Sequence, residues 1–208
     1  MIEFDAATLY WRSQYKLLIG SITQRPIALV TTLGSSGPNA APFSFFNGIG
    51  SDPAMLMFSV GAKDGSAKDT YANILEIPEF VVHIVSDAIK EKMNVCAIDY
   101  PRGVNEISEA GFTALVSTKV RPPRLAEAPV AFECRLMQML DLGRVPYHVV
   151  IGEVVYFHYH EGIVDEQFYV DTGKIDPIGR LGGRGGYTRI TDRFEMARLK
   201  YDGSRSKG

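Results

Sequence analysis

Two short stretches of this 208-residue chain carry residue types that could hold a ligand. In Ala41-Pro42-Phe43-Ser44-Phe45-Phe46-Asn47, aromatic rings stand beside hydroxyl and amide side chains on a segment that reads as a strand. In Gly65-Ser66-Ala67-Lys68-Asp69-Thr70, a lysine and two hydroxyls precede a predicted helix, whose first turn adds unpaired N–H groups and a partial positive charge. Lys68 would bring a full charge to a phosphate, and Ser66 and Thr70 would bring hydroxyl donors. Asp69 would repel a phosphate and reads instead as the helix cap. A ligand with a flat apolar end and an anionic end fits both stretches, and flavin mononucleotide (FMN) has that form. The loop alone is more simply accounted for by a solvated turn leading into a capped helix.

The aromatic stretch has a plainer reading as well. Phe43 and Phe45 alternate as core residues would, which leaves Ser44, Phe46 and Asn47 on a polar-aromatic face. Pro42 cannot donate to a ladder, so an edge strand or a bend is expected there. The guanidinium in Arg25-Pro26-Ile27 could meet an anion or lie on the surface. Among the four histidines, His148 stands beside Tyr147 and shortly before Gly152-Glu153. It could donate to a reacting ring system or carbonyl, or be structural. His158 and His160 share a strand face, but too few further ligands are in view for a metal site, so none is expected.

Around these residues the pattern is mostly strand. Ile27 to Leu33 is β-branched and apolar, and the Gly34-Ser35-Ser36-Gly37 turn after it leads to a second strand near Ala40 to Phe46. Ala54 to Val60 and Glu79 to Val85 are further strand candidates. Val130, Phe132, Cys134 and Leu136 alternate on one face, as do Val149, Ile151, Val155 and Phe157 on a later strand. Helical spacing is confined to Thr70–Ile77, to Ala88–Ala97 with Ile89, Met93 and Ala97 on one stripe, and weakly to Arg189–Leu199. Short, closely spaced strands with few helices predict a mainly β fold, a barrel with peripheral helices, rather than a doubly wound sheet. One domain over residues 1–200 with a flexible tail at 201–208 is expected.

Composition narrows the function. A formal net charge of −2 offers no global attraction to nucleic acid or to an anionic membrane surface. No apolar run reaches the ~20 residues of a membrane span, and Met1-Ile2-Glu3-Phe4-Asp5 lacks the basic start of a secretory signal. Cys96 and Cys134, the two cysteines, lie inside apolar segments and read as buried thiols in a reducing compartment, so a cytoplasmic location is expected. The glycines at 182–186 lack the strand–helix context of a dinucleotide fingerprint, Ala67 precedes Lys68 where a Walker A motif needs glycine, and no G-x-S-x-G elbow occurs.

Arg25-Pro26-Ile27-Ala28-Leu29-Val30-Thr31-Thr32, Ala41 to Asn47, Lys68-Asp69-Thr70-x-x-Asn73-Ile74 and His148-x-x-Ile151-Gly152-Glu153-Val154 occur in an order and spacing that resembles the flavin reductase-like family. That family has an FMN-binding split barrel and includes flavoredoxin and the reductase components of two-component monooxygenases. Glu133-Cys134 and Arg180-Leu181-Gly182-Gly183 through Tyr187 resemble its later segments, so the likeness covers about residues 10 to 200. The resemblance implies a six-stranded Greek-key-like split barrel and a homodimer with one FMN per subunit, FAD being less favoured. It places Ser44, Phe45, Phe46 and Asn47 on the ribityl chain and ring, and Ser66, Lys68, Asp69 and Thr70 on the phosphate. Arg25, Pro26 and Ile27 would line another edge, with His148 and Tyr187 near the ring or the hydride donor. Ala67 stands where relatives often carry a second basic residue, a role that Lys63 or Arg184 could take. The implied activity is hydride transfer from NAD(P)H to flavin, with electrons passing on to oxygen or a partner monooxygenase. The alternatives are a flavoredoxin-like carrier with tightly bound FMN, a non-catalytic flavin-binding protein, or a flavin-free barrel that binds protein partners.

Overall fold

The computed structural model of the chain describes residues 1–61, 68–144 and 147–201. Helix α1 (Trp11–Ser21) precedes a two-residue strand β1 (Arg25–Pro26), and then β2 (Ala28–Gly34) turns tightly into β3 (Gly37–Phe43). Gly37 makes that turn possible with φ +104°, a conformation closed to most residues. Strands β4 (Phe46–Ser51) and β5 (Ala54–Gly61) form the next hairpin, followed by α2 (Asp69–Glu76) and β6 (Glu79–Ile84). A 3-10 turn at Asp87–Ile89 runs into α3 (Lys90–Val95), and α4 (Glu106–Glu109) follows. The small hairpin of β7 (Ala114–Leu115) and β8 (Arg124–Leu125) leads to the long strands β9 (Val130–Leu142) and β10 (Tyr147–Tyr159). Helix α5 (Thr172–Ile175) then precedes β11 (Ile178–Arg180) and β12 (Tyr187–Arg189), which form a three-stranded sheet with β1.

The main sheet is antiparallel in the order β3-β2-β6-β9-β10-β5-β4. Its two edge strands, β3 and β4, are joined by only Ser44 and Phe45. Laid flat, six interstrand spacings would separate those edges by about 29 Å, whereas three residues of extended chain reach only about 10–11 Å. The sheet must therefore curl until its edges meet at this corner, and the result is a mainly β split barrel. The Ser59 N–H donates to the Phe45 carbonyl at 2.9 Å there, and the Phe43 and Phe58 rings pack 5.1 Å apart. The resemblance implied six strands; a seventh is distinct because the ladder stops at the corner and resumes as β4.

Burial of both faces of β2 explains the unbroken apolar run from Ile27 to Val30 that leads into it. Ala28 and Val30 enter the barrel core with Phe43, Phe58, Ile74, Phe80, Cys134 and Val150, while Leu29 packs outward against Ile89, Met93, Cys96 and Ile107 beneath α3 and α4. Gly152 completes the core by omission, since a Cβ there would collide with the Phe80 ring. Both cysteines are buried and free. Among the described residues, no helix is long and apolar enough to cross a membrane.

Several local expectations are corrected. The buried side of β10 is His148, Val150 and Gly152, opposite to the face that the Val149, Ile151, Val155 and Phe157 alternation suggested; irregularities at Ile151/Gly152 and Val154/Tyr156 then shift the register. Cys96, not Ala97, completes the buried stripe of Ile89 and Met93. The Arg189–Leu199 helix does not form: β12 ends at Arg189, and Phe194, Met196 and Leu199 are all exposed. With nothing to pack against, an eleven-residue segment is too short to hold a helix on propensity alone. Helix α1 has no core-facing stripe beyond Ile19 and carried no clear periodic signal.

His83, fully buried on β6, fixes how the β7–β8 hairpin sits on the barrel. Its Nδ1 is 2.9 Å from the Leu29 carbonyl and its Nε2 2.9 Å from the Leu125 N–H, so the neutral ring donates through Nδ1 and accepts through Nε2. Burial depresses its pKa from 6.5 to about 4. The unfolded chain therefore binds the extra proton between those values. The stability this ring confers is complete above pH 6.5 and is lost as pH falls toward about 4. Thermal unfolding across that window should show the loss, and His83→Gln should remove it while lowering stability near neutrality by ~1–3 kcal/mol.

Candidate functional site

A groove runs along the outer side of β3. One lobe, of about 790 Å³, is walled by Ile27, Ser44, Met93, Asn94, Arg180 and Tyr187. A second, of about 470 Å³, is walled by Asn39, Lys68, Asp69, Thr70, Arg102 and Glu106. Pro42, Phe43 and Ala97 line both lobes, so the two are continuous. Pro42 belongs to the edge strand of the main sheet, as its missing N–H predicted, and the chain bends directly after it.

The smaller lobe offers cationic and N–H groups to an anion, with three carboxylates, Asp69, Asp99 and Glu106, also in its lining. In α2 the first helical bonds run from Tyr71 and Ala72 to the Lys68 carbonyl, which leaves the Asp69 and Thr70 N–H groups without a helical acceptor. Lys68, not Asp69, occupies the cap position and makes no side-chain capping bond. Asp69 is instead the first residue of the helix, where its charge favours the helix dipole, and its carboxylate lies 3.8 Å from Arg102 Nε. Lys68 and Arg102 thus bring two cations to this lobe. Thr70 is buried, and its hydroxyl donates to Asn39 Oδ1 at 3.0 Å. Ser66 lies outside the described residues, as do Ala67 and Lys63.

In the larger lobe the Arg180 guanidinium lies 4.7 Å from the centre of the Tyr187 ring, and its Nη1 donates to the Gly186 carbonyl at 2.7 Å. This gives the lobe a flat cationic and aromatic wall opposite Ile27 and Met93. At its outer end Asp87 bridges Lys90 at 3.1 Å and Arg189 at 2.9 Å, and these hydrogen bonds hold its carboxyl below the usual range.

Arg25 has an unexpected role. It is buried, and its guanidinium donates to the carbonyls of Ile19 at 2.6 Å, Ile22 at 2.8 Å and Leu181 at 3.2 Å, with Nε 3.4 Å from Ser44 Oγ. It clamps the end of α1 and the segment after β11 to the barrel corner rather than facing an anion. Gly182 permits this approach, since a Cβ would lie 2.5 Å from Gly20 Cα. Pro26 pairs with Gly179, and Ile27 reaches the larger lobe.

The structure separates the aromatic stretch. Ser44 faces the groove, but Phe45 points to the other side of the corner, 6.4 Å from the Tyr15 ring and 5.9 Å from that of Tyr147. Phe46 packs on the barrel core, and Asn47 is exposed on β4 with its Oδ1 accepting from the Gly48 N–H. The expected alternation of faces fails because strand geometry is interrupted at Ser44–Phe45. Tyr187 and His148 are not brought together within one chain. His148 Nδ1 is 2.6 Å from Asp141 Oδ1 and its ring stacks 3.8 Å from Tyr71, away from either lobe. His158 Nε2 is 2.6 Å from the fully buried Glu133, which also accepts from the Thr118 and Lys119 N–H groups, while His160 meets the Ala126 carbonyl. Asn39, Asn94, Arg102 and Glu106 carried no signal in the sequence, because each reaches the groove only through tertiary packing.

Arg25→Lys keeps the charge but loses the fork that joins three carbonyls. It should destabilise the protein by ~2–4 kcal/mol in urea unfolding, the range for losing charge-assisted bonds at a buried site.

Comparisons with known proteins agree with this architecture. The flavin reductase like domain matches residues 20–179. A protein of Deinococcus radiodurans whose role is uncharacterised is 41% identical over 96% of this chain and 90% of its own. The crystal structure of nitrilotriacetate monooxygenase component B from Bacillus cereus is similar at 34% identity and a TM-score of 0.90, covering 94% of this chain and 98% of that one. The 2-nitrobenzoate 2-nitroreductase of Pseudomonas fluorescens is similar at 36% identity and a TM-score of 0.86, covering 98% and 100%. With a barrel corner, a two-lobed groove and a domain match over most of its length, the chain belongs to the flavin reductase-like family.

Proposed function

We propose that this protein is an FMN-dependent oxidoreductase that takes hydride from NAD(P)H and passes electrons to oxygen or a partner monooxygenase. The observation that carries the reading is the make-up of the groove: Lys68, Arg102 and two N–H groups without a helical acceptor at one end, tempered by Asp69, Asp99 and Glu106, and a flat Arg180–Tyr187 wall with Ser44 at the other. The phosphate of FMN would meet Lys68, Arg102 and the Asp69 and Thr70 N–H groups. The ring would lie between the Arg180–Tyr187 wall and Ile27, with Ser44 donating to its polar edge. When bound, a flavin supplies the two-electron chemistry, so the chain need supply only binding, orientation and a path for the donor. FMN, whose single phosphate matches one anion lobe, is proposed over FAD. Within one subunit Tyr187 would contact the ring, while His148 would tie β9, β10 and α2 together. The similarity to a monooxygenase component and to a nitroreductase supports an onward electron acceptor, and the two buried thiols, with Cys96 pushed up to about 12 by burial, suit a cytoplasmic setting.

The working form is proposed to be a homodimer. Exposed Trp11, Tyr15, Leu17 and Leu18 of α1 border an apolar depression of about 1060 Å³ that includes Phe45 and Tyr147, a surface of the kind that oligomers cover. Light scattering on the eluted protein should give twice the chain mass, and a monomer would remove this part of the reading.

The absorption spectrum of the purified protein, with mass analysis of the released chromophore, tests the cofactor. Stopped-flow mixing with NADH or NADPH should bleach the flavin band within seconds; no bleaching with either would leave a carrier or a flavin-binding protein. Lys68→Ala should weaken FMN binding by ~1–3 kcal/mol in a fluorescence titration, and unchanged affinity would move the phosphate elsewhere.

A further inference from the structure

Beneath the anion lobe lies a buried polar chain that the groove's own chemistry does not explain. Glu106, almost fully buried on α4, accepts the Asn39 amide at 2.9 Å on Oε1 and the Ala40 N–H at 3.2 Å on Oε2. Asn39 Oδ1 then accepts from Thr70 Oγ1 at 3.0 Å and, more weakly, from Thr32 Oγ1 at 3.4 Å; Asn73 donates to Thr32 at 3.1 Å. The partners settle the sense of these bonds. An ionised carboxylate can only accept, so the Asn39 NH₂ faces Glu106 and its carbonyl faces the threonines. In that state the Thr70 proton is engaged by Asn39. Thr70 Oγ1 can then offer the groove only lone pairs, which repel a phosphate oxygen.

We propose that Glu106 is a positioning residue for the anion lobe, setting through Asn39 whether Thr70 acts there as a hydrogen-bond acceptor or as a donor. The inference rests on the FMN reading above. When Glu106 takes up a proton from solvent, its hydroxyl donates to Asn39 Oδ1 once the amide turns over, and its remaining oxygen still accepts from Ala40. The Asn39 NH₂ then donates to Thr70 Oγ1, and the Thr70 proton is released toward the phosphate. The long Thr32 contact is what the turnover gives up. Burial, with Asp69 nearby, raises the Glu106 pKa, which brings the protonated form closer to working conditions. The ionisable groups around it are Lys68 and Asp69 at the start of α2, Cys96 after α3, Asp99, Tyr100 and Arg102 before α4, and Glu109 on α4 itself. Among the described residues, no other cluster links a buried acid to the groove through a reversible amide.

FMN affinity by fluorescence quenching tests this in three proteins. Glu106→Gln imitates the protonated state, since its amide donates to Asn39 and its carbonyl accepts from Ala40. In mildly alkaline buffer it should bind FMN about three- to tenfold more tightly than the unaltered protein, the effect of one net hydrogen bond. That ratio should shrink toward one in mildly acidic buffer, and the phosphate's own ionisation cancels in it. Thr70→Val, nearly isosteric, should bind at least as tightly as the unaltered protein in alkaline buffer, where it removes only a repelling oxygen, and about three- to tenfold more weakly in acid. This second comparison stands even where Glu106→Gln does not fold. Ratios that do not change with pH, or a Glu106→Gln protein of unchanged melting temperature that binds FMN no better in alkaline buffer, would overturn the proposal while leaving the FMN reading intact. Failure of all three proteins to bind FMN would overturn both.

Discussion

The two-residue passage from β3 to β4 constrains more of this molecule than any other feature. Because Ser44 and Phe45 alone join opposite edges of the main sheet, the sheet must curl, and the groove is the outer side of the resulting corner. Arg25 holds the corner from behind by gathering carbonyls from α1 and from the segment after β11 beside Ser44. A buried guanidinium without such acceptors would be costly, and these carbonyls would otherwise lie unpaired in a dry environment. Each therefore satisfies the other, and the β11–β12 hairpin that walls the larger lobe is fixed to the barrel by the same contacts.

Charge along the groove is arranged by proximity rather than by total. The chain is slightly acidic overall, yet Lys68 and Arg102 meet at one end of the groove and Lys90, Arg180 and Arg189 at the other. Acidic groups temper both ends, Asp69 beside Arg102 and Asp87 between Lys90 and Arg189. Screening in water confines such pairs to about a Debye length, near 8 Å at physiological salt, so each lobe presents its own local field to a ligand.

The barrel was legible in the sequence because strand periodicity and turn residues are local signals: Ile27 to Leu33, Ala54 to Val60 and Glu79 to Val85 all lie in strands within a residue or two. The site was legible in part. Ser44, Lys68, Thr70 and Tyr187 do line the groove. The roles of Asp69, Arg25 and Phe45 were misread because each depends on what lies across space, namely Arg102, three backbone carbonyls and Tyr147. No spacing rule could have paired Asn39 with Glu106, 67 positions apart. The β10 face was misread because both faces of that strand carry apolar residues, Val149 and Ile151 on one and Val150 and Val154 on the other, so alternation alone did not choose the buried side.

Adjacent side chains at the corner point into different worlds. Ser44 belongs to the groove, while Phe45 belongs to the aromatic surface that also carries Trp11, the single tryptophan of the chain. The protein thus has one indole fluorophore, and it reports on the outer surface behind the corner. An event in the groove that moves this backbone, and an association that covers the aromatic face, would both alter the emission of the same indole.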